Sequence, residues 1–402
     1  MEPILDHQAV QDVGVEPSAQ WTHIVEEAVT HRVSDIHLSA QRLGCDLLFR
    51  IDGKLYPQTQ LDPDLSRRLI GHVQSIAGMD VAEHRKPHEG RLKVEIADRQ
   101  VELRISVVPT LHGQDMVVRV FDRTVGLMEI DELGMLDGQQ DTIDDIIERP
   151  NGLILVSGPT GSGKTTTMYS MLRLIAGSGR KICTIENPIE YDLQGVSQTQ
   201  ISPRVGLGFA EMLTALLRQD PDVIMVGEVR DAETARTAVR AANTGHLVLA
   251  TTHASRASRA IETMLFLDVH PFFLATALRC VIAQVLVRTI CPECRTELPE
   301  TGEMLIEPKV REMLTDADEA HLSQGEGCAS CHQSGYQGRM GLFELFVPDE
   351  TTRKMVLNRA PAGEIDEYIA QAETLSLTDV GKLAALRGRT TIEEIVSVLP
   401  NL

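Results

Sequence analysis

Leu153-Ile-Leu-Val-Ser157 runs directly into Gly158-Pro-Thr-Gly-Ser-Gly-Lys-Thr165, and this junction decides the fold. The first stretch has the length and apolarity of a buried strand. The second fits G-x-x-x-x-G-K-[ST] in full and opens a helical pattern, Gly163–Ala176. A strand, a glycine loop and a helix start in that order form a phosphate cradle. The glycines let backbone N–H groups curl around an anion, and the helix N-terminus adds partial positive charge. The nucleotide-binding segment is read as Gly158, Pro159, Thr160, Gly161, Ser162, Gly163, Lys164, Thr165 and Thr166. Lys164 is the residue to reach the β- and γ-phosphates, and the Thr165 hydroxyl the one to bind Mg²⁺.

The segments that follow read as alternating strands and helices. Lys181–Ile185, Val223–Gly227 and Leu247–Thr251 are apolar strand candidates. Helical patterns are expected at Phe209–Arg218, Asp231–Asn243, Arg256–Leu267 and Phe272–Leu286. Such alternation predicts an α/β fold with a largely parallel sheet covered by helices. Ligands of such sheets lie at the carboxyl ends of the strands. That places Glu186, Glu228 and His253 near the γ-phosphate as candidate catalytic residues, able to position a water. Asp222 and His246 start their strands, ~15 Å or more away at ~3.3 Å per residue.

Residues 1–18 are polar and expected to be disordered. Residues 19–122 read as a smaller α/β domain, PAS-like in outline. It has a helix at Gln20–His31, strands at Ser34–Leu38 and Asp46–Ile51, and a turn at Asp52-Gly53. Residues 123–150 are expected as a linker with a short helix, and 151–288 as the nucleotide-binding core. Residues 346–402 follow a helical pattern. Between them, 289–345 carry Cys291-Pro-Glu-Cys294 and Cys328-Ala-Ser-Cys331, separated by 33 residues. Two such pairs close a tetrahedral thiolate shell, so Cys291, Cys294, Cys328 and Cys331 are expected to hold a structural Zn²⁺ that pins the excursion to the core. Cys45, Cys183 and Cys280 stand in apolar surroundings and read as core thiols.

The 38 basic and 58 acidic side chains give a net charge of −20. A protein that tracks nucleic acid needs a positive surface, and single-strand binders need aromatic platforms; aromatic residues make up 3%. No nucleic acid partner is expected. The N-terminus has no signal-peptide pattern, and no apolar run approaches the ~20 residues of a membrane span.

Leu217-Arg-Gln-Asp-Pro-Asp-Val-Ile-Met-Val-Gly-Glu-Val-Arg-Asp231 resembles the signature of the secretion and pilus-assembly ATPases, the GspE/PilB family. Thr184–Tyr191 resembles that family's Asp box, with Asn187 in the place of its aspartate. Gly245–His253 resembles its His box, but His253-Ala-Ser-Arg256 departs from the usual His-Thr-Asn-Asp. Ser34–Leu38, Phe49–Gly53 and Gly335–Gly341 resemble further family segments. The resemblance covers residues 20 to 400. It implies a RecA-like ATPase core and a homohexameric ring that uses ATP. The motor works in the cytoplasm, peripheral to the inner membrane, and drives pilin or pseudopilin assembly through inner-membrane platform proteins. It also implies that Arg104 and Arg119 approach the phosphates, and the tetracysteine segment favours assembly over retraction. Two other readings compete with it: a nucleic-acid translocating RecA-like ATPase, and a non-hydrolysing nucleotide-binding regulator of a secretion complex.

Overall fold

The computed structural model describes residues 4, 16–96, 98–122, 127–202, 206–314, 321–372 and 374–399. The segment expected to be disordered, 1–18, lies almost wholly outside them. The described residues fall into two compact units, and the chain passes between them several times. Cys291–Arg295 and Gly325–Gly338 belong with the N-terminal part, and the rest of the chain from Leu127 forms the second unit.

The first unit opens with α1 (Pro17–Thr30), whose Trp21, Ile24, Val25, Ala28 and Val29 are buried at helical spacing. Strands β1 (Asp35–Gln41), β2 (Gly44–Ile51) and β3 (Lys54–Leu61) follow, then α2 (Pro63–Ile76). The Asp62 carboxylate caps α2 by accepting the Asp64 N–H at 2.8 Å. β4 (His88–Ile96), β5 (Arg99–Thr110) and β6 (Gly113–Asp122) complete a six-stranded sheet in the order β3-β2-β1-β6-β5-β4. Its neighbours are all antiparallel. β2 and β3 are joined by the expected turn, Asp52 and Gly53, with φ of 47° and 85°. Both positive angles are what a two-residue hairpin turn demands. One sheet face buries Ile36, Leu38, Leu47, Phe49, Leu103, Ile105, Met116 and Val118 in one core with the apolar faces of α1 and α2.

The second unit begins with α3 (Asp137–Ile147) and β7 (Gly152–Ser157). α4 (Lys164–Ile175), β8 (Ile182–Glu186), β9 (Val196–Gln200), α5 (Phe209–Leu216) and β10 (Val223–Val226) come next. α6 (Ala232–Asn243), β11 (Leu247–Thr252), α7 (Ala257–Phe266), α8 (Pro271–Ala277) and β12 (Leu278–Ile290) follow. β13 (Arg295–Thr301) and β14 (His321–Gly325) pair with each other, with α9 (Pro308–Met313) between them in sequence. β15 (Tyr336–Phe346) joins the main sheet, and α10 (Glu350–Leu357), α11 (Ala362–Gln371), α12 (Leu377–Leu386) and α13 (Ile392–Val398) end the chain. The sheet order is β15-β12-β7-β11-β10-β8-β9, parallel from β12 to β9. Every residue of β7, β8, β10 and β11 is buried, as strands covered on both faces must be.

One expectation changes here. Phe272–Leu286 is not one helix: α8 ends at Ala277 and the chain continues as β12 beside β7. Val281, Ile282, Val285 and Val287 are β-branched and all buried, so no period-2 alternation marks the strand. The stretch 123–150, expected as a linker with a short helix, carries α3 among its described residues. Ile130, Leu133, Ile143 and Ile146 pack with Met168, Tyr169 and Leu172 of α4 in the core of the second unit.

An ion pair helps tie β12 to the C-terminal helices. The Arg288 guanidinium donates to Glu394 Oε2 at 3.0 and 2.6 Å, and the Arg288 N–H donates to Oε1 at 3.2 Å. Glu394 is only 4% exposed. Glu394→Ala would remove the nearly buried carboxylate from Arg288, so the transition reporting the second unit should lose about 3 kcal/mol in a urea titration. An unchanged midpoint would show that the pair is dispensable.

Candidate nucleotide site and metal centre

The parallel register brings the predicted residues of the second unit to one edge. Gly158 follows β7, Glu186 ends β8, Glu228 lies two residues past β10, and His253 follows β11. Asp222 and His246 stand at the other edge as turn residues: Asp222 accepts the Lys181 N–H at 2.7 Å, and the His246 ring meets the Ala241 carbonyl at 3.0 Å.

The loop after β7 is a cradle only glycine can form. Gly158, Gly161 and Gly163 have φ of 156°, 78° and 86°. A Cβ on Gly158 would sit 2.3 Å from the Gln284 carbonyl oxygen. Gln284, on β12, also braces the loop by donating from Nε2 to the Ser162 carbonyl at 2.6 Å. Ser162 Oγ is buried without a hydrogen-bond partner, a polar group turned into the cradle's interior. Lys164 Nζ donates to the carbonyls of Gly158 and Pro159 at 2.7 and 2.9 Å. Burial lowers the Lys164 pKa, and the charge of Glu228 works against that shift. These features fit a nucleotide phosphate, and the Thr165 hydroxyl at the start of α4 fits the Mg²⁺ that would accompany it.

The two acidic residues differ sharply. Glu186 is 2% exposed and saturated with donors. The Tyr169 hydroxyl donates to Oε2, while Thr184 Oγ1 and Gln198 Nε2 reach Oε1 at 2.5 and 3.0 Å. Burial, then the Glu186 carboxylate, push the Tyr169 phenol up, so it remains a donor. Glu228 is held by His253 Nε2 at 2.5 Å and by the Arg230 guanidinium, both on Oε1. Its second oxygen, Oε2, is in neither contact.

Arg104 and Arg119 lie in the first unit, directly opposite each other on β5 and β6. Arg119 Nε donates to Asp35 at 3.0 Å, and the Arg104 guanidinium sits 4.1 Å from the centre of the Phe121 ring. Register extends the row to Arg50 and Asp35 on one side and Arg91 on the other. Pairs directly across a sheet share a face, so four arginines and one aspartate form one line. Sequence spacing alone gave no access to Arg50 or Arg91.

The four cysteines converge. Their sulfurs all lie within 4.8 Å of one another. Cys291–Cys328 and Cys294–Cys331 are 3.8 Å apart, and Cys328–Cys331 3.7 Å. A tetrahedron with ~2.3 Å zinc–sulfur bonds has edges of ~3.8 Å, which these separations match, so the thiols fit Zn²⁺. The cluster, expected within a subdomain of its own at 289–345, groups with the first unit. The Asp52 carboxylate accepts the Gly338 N–H at 2.9 Å, and the His31 and His332 rings meet edge to face at 4.6 Å. The segment 289–345 is therefore divided between the units.

A parallel sheet with a phosphate loop and a carboxylate–histidine pair at one edge defines a P-loop nucleotide-binding protein. The family model described as "Type II/IV secretion system protein" matches residues 11–397, and the chain belongs to that family. It is 38% identical to the type II secretion system protein E of Pseudomonas aeruginosa, over 93% of this chain and 74% of that one. It is 39% identical to the type II secretion system ATPase E of Vibrio cholerae, over 92% and 73%. The type IV pilus assembly ATPase PilB of Thermus thermophilus is 38% identical over 93% of this chain but only 42% of its own length. The pilus retraction motor PilT with bound ADP matches with a TM-score of 0.61 at 26% identity, over 94% of this chain and 96% of that one. The DotB ATPase of Legionella pneumophila matches in fold over both whole chains, with a TM-score of 0.72 at 20% identity. Among the described residues, no helix is long and apolar enough to cross a membrane.

A strong chelator should release about one zinc per chain. Hydrogen exchange should then quicken around Cys328–Gln333 and in the Asp52-Gly53 turn, while β7 to β11 stay protected. Purified protein that carries no metal would remove the zinc assignment.

Proposed function

We propose that this chain is an ATP-hydrolysing motor, working as a homohexamer in the cytoplasm on inner-membrane platform proteins to assemble pseudopilins or pilins. The observation that carries the reading is the Glu228–His253 pair on the same sheet edge as an intact phosphate loop. Membership of the family and the names of the relatives support it.

In this reading Lys164 exchanges its two carbonyl partners for phosphate oxygens. Glu228, fixed through Oε1 by His253, accepts a hydrogen bond from a water through its remaining oxygen. The water oxygen attacks the γ-phosphorus in line as Glu228 takes its proton, the bond to the β–γ bridging oxygen breaks, ADP leaves with that oxygen, and the proton ends on the released inorganic phosphate. Glu186 acts one step back: its three donors lock the end of β8 beside the reacting edge. Mg²⁺, held by Thr165, supplies charge neutralisation when bound. The family resemblance assigns Arg104 and Arg119 to neutralising the negative charge that develops on the phosphates.

Lys164→Ala should abolish turnover, and retained turnover would mean that another loop is the working site. Glu228→Gln keeps the shape and the hydrogen-bonding reach, so nucleotide should still bind while kcat falls about 100-fold or more. Equal turnover would pass the water-positioning role to Glu186. Arg119→Ala should lower kcat with the protein's melting temperature unchanged, since its side chain is 63% exposed. A wild-type hexamer that binds ATP and never turns it over would leave the regulator reading standing.

A further inference from the structure

The residues that join β11 to α7 carry His253, and they are held from two sides. On one side stands Ser157, the last residue of β7. Its hydroxyl donates to the Ala254 carbonyl at 2.6 Å and accepts from Thr252 Oγ1 and the Ala254 N–H, each at 3.1 Å. On the other side stand two acids. Glu344 of β15 accepts the Ala257 N–H at 2.8 Å, and Asp366 of α11 accepts the Ser258 hydroxyl at 2.5 Å. The second Asp366 oxygen lies 3.9 Å from the Arg256 guanidinium.

This arrangement is unusual for an exposed-loop anchor. Glu344 is 4% exposed. Burial raises its pKa; the Ala257 N–H opposes that, the charge of Asp366 adds to it, and Arg256 and the Leu377 N–H oppose it again. The two acids meet the first turn of α7, where the helix dipole favours negative charge. Beside them opens a cavity of about 860 Å³, lined in part by Pro159, His253, Arg256, Glu344 and Asp366. Ala254 and Ala257 are buried in the core, while His253 and Arg256 between and beside them face the cavity, so on that flank these polar contacts hold the loop.

We propose that Asp366 and Glu344, with Arg256, are positioning residues for His253, and that the C-terminal part of the chain sets through them how well His253 holds Glu228. The proposal rests on the hydrolytic reading of Glu228 and His253. Neither acid touches the reacting atoms. A displacement of ~1 Å at a catalytic group costs up to ~100-fold in rate, so a loosened loop is felt without any loss of binding.

The test uses the full chain. Asp366→Asn keeps an acceptor for Ser258 but loses the charge facing Arg256. It should lower kcat about 10-fold with KM for ATP unchanged. Arg256→Gln, at a half-exposed side chain that can be replaced without unfolding, should lower kcat about 3-fold. In a His253→Ala background neither change should cost anything further, because coupled residues are non-additive. Hydrogen exchange of residues 253–258 should quicken in both variants. The proposal is overturned if kcat is unchanged in both, or if Asp366→Asn costs the same factor with and without His253. If the wild-type protein never hydrolyses ATP, the hydrolytic reading fails instead, and exchange alone decides: unaltered exchange at 253–258 in both variants sinks the latch.

Discussion

The parallel register of β8, β10, β11 and β7 is the constraint on which the rest depends. Val226 lies opposite both Ile185 and Ala250, and Ala250 opposite Leu155. With strands ~4.8 Å apart, this sets Glu186, Glu228, His253 and the glycine loop along one edge. A slip of one residue would turn a side chain to the other face of the sheet. Burial on both faces is what prevents it, since every residue of these strands would leave its apolar pocket.

Two carboxylates that look alike in sequence acquire different chemistry from their surroundings. Glu186 has three donors and almost no exposure, so its hydrogen-bonding capacity is spent inside the protein. Glu228 is partly exposed and engaged through one oxygen, which leaves it able to order a water. The same logic separates the arginines: Asp35 lies between Arg50 and Arg119 in the row, so part of that row's charge is balanced within the sheet.

Much of this was legible in the sequence because local rules and global fold agree there. The G-x-x-x-x-G-K-T run, the Asp52-Gly53 turn and the two Cys-x-x-Cys pairs each demand one backbone shape, and each adopts it. What escaped was set by partners distant in sequence. β12 reads as a helix because a strand buried on both sides has no alternation. Gln284 and Ser157 look like ordinary strand residues until their neighbours across the sheet are known. The ownership of the cysteine cluster could not be read either, because Asp52, which accepts the N–H of Gly338 beyond the second cysteine pair, stands 286 residues earlier.

That cluster alters what counts as a domain in this chain. The N-terminal unit is made of three separate stretches, two of them enclosed within the sequence of the other unit. A fragment cut after β6 would abandon the cysteines and the backbone that Asp52 and His31 meet. Residues 296–324, between the two cysteine pairs in sequence, belong to the other unit. Gene fusion or truncation in this family member therefore has no clean single seam: whoever separates the two bodies must carry the cysteine cluster with the N-terminal one and close the gap it leaves.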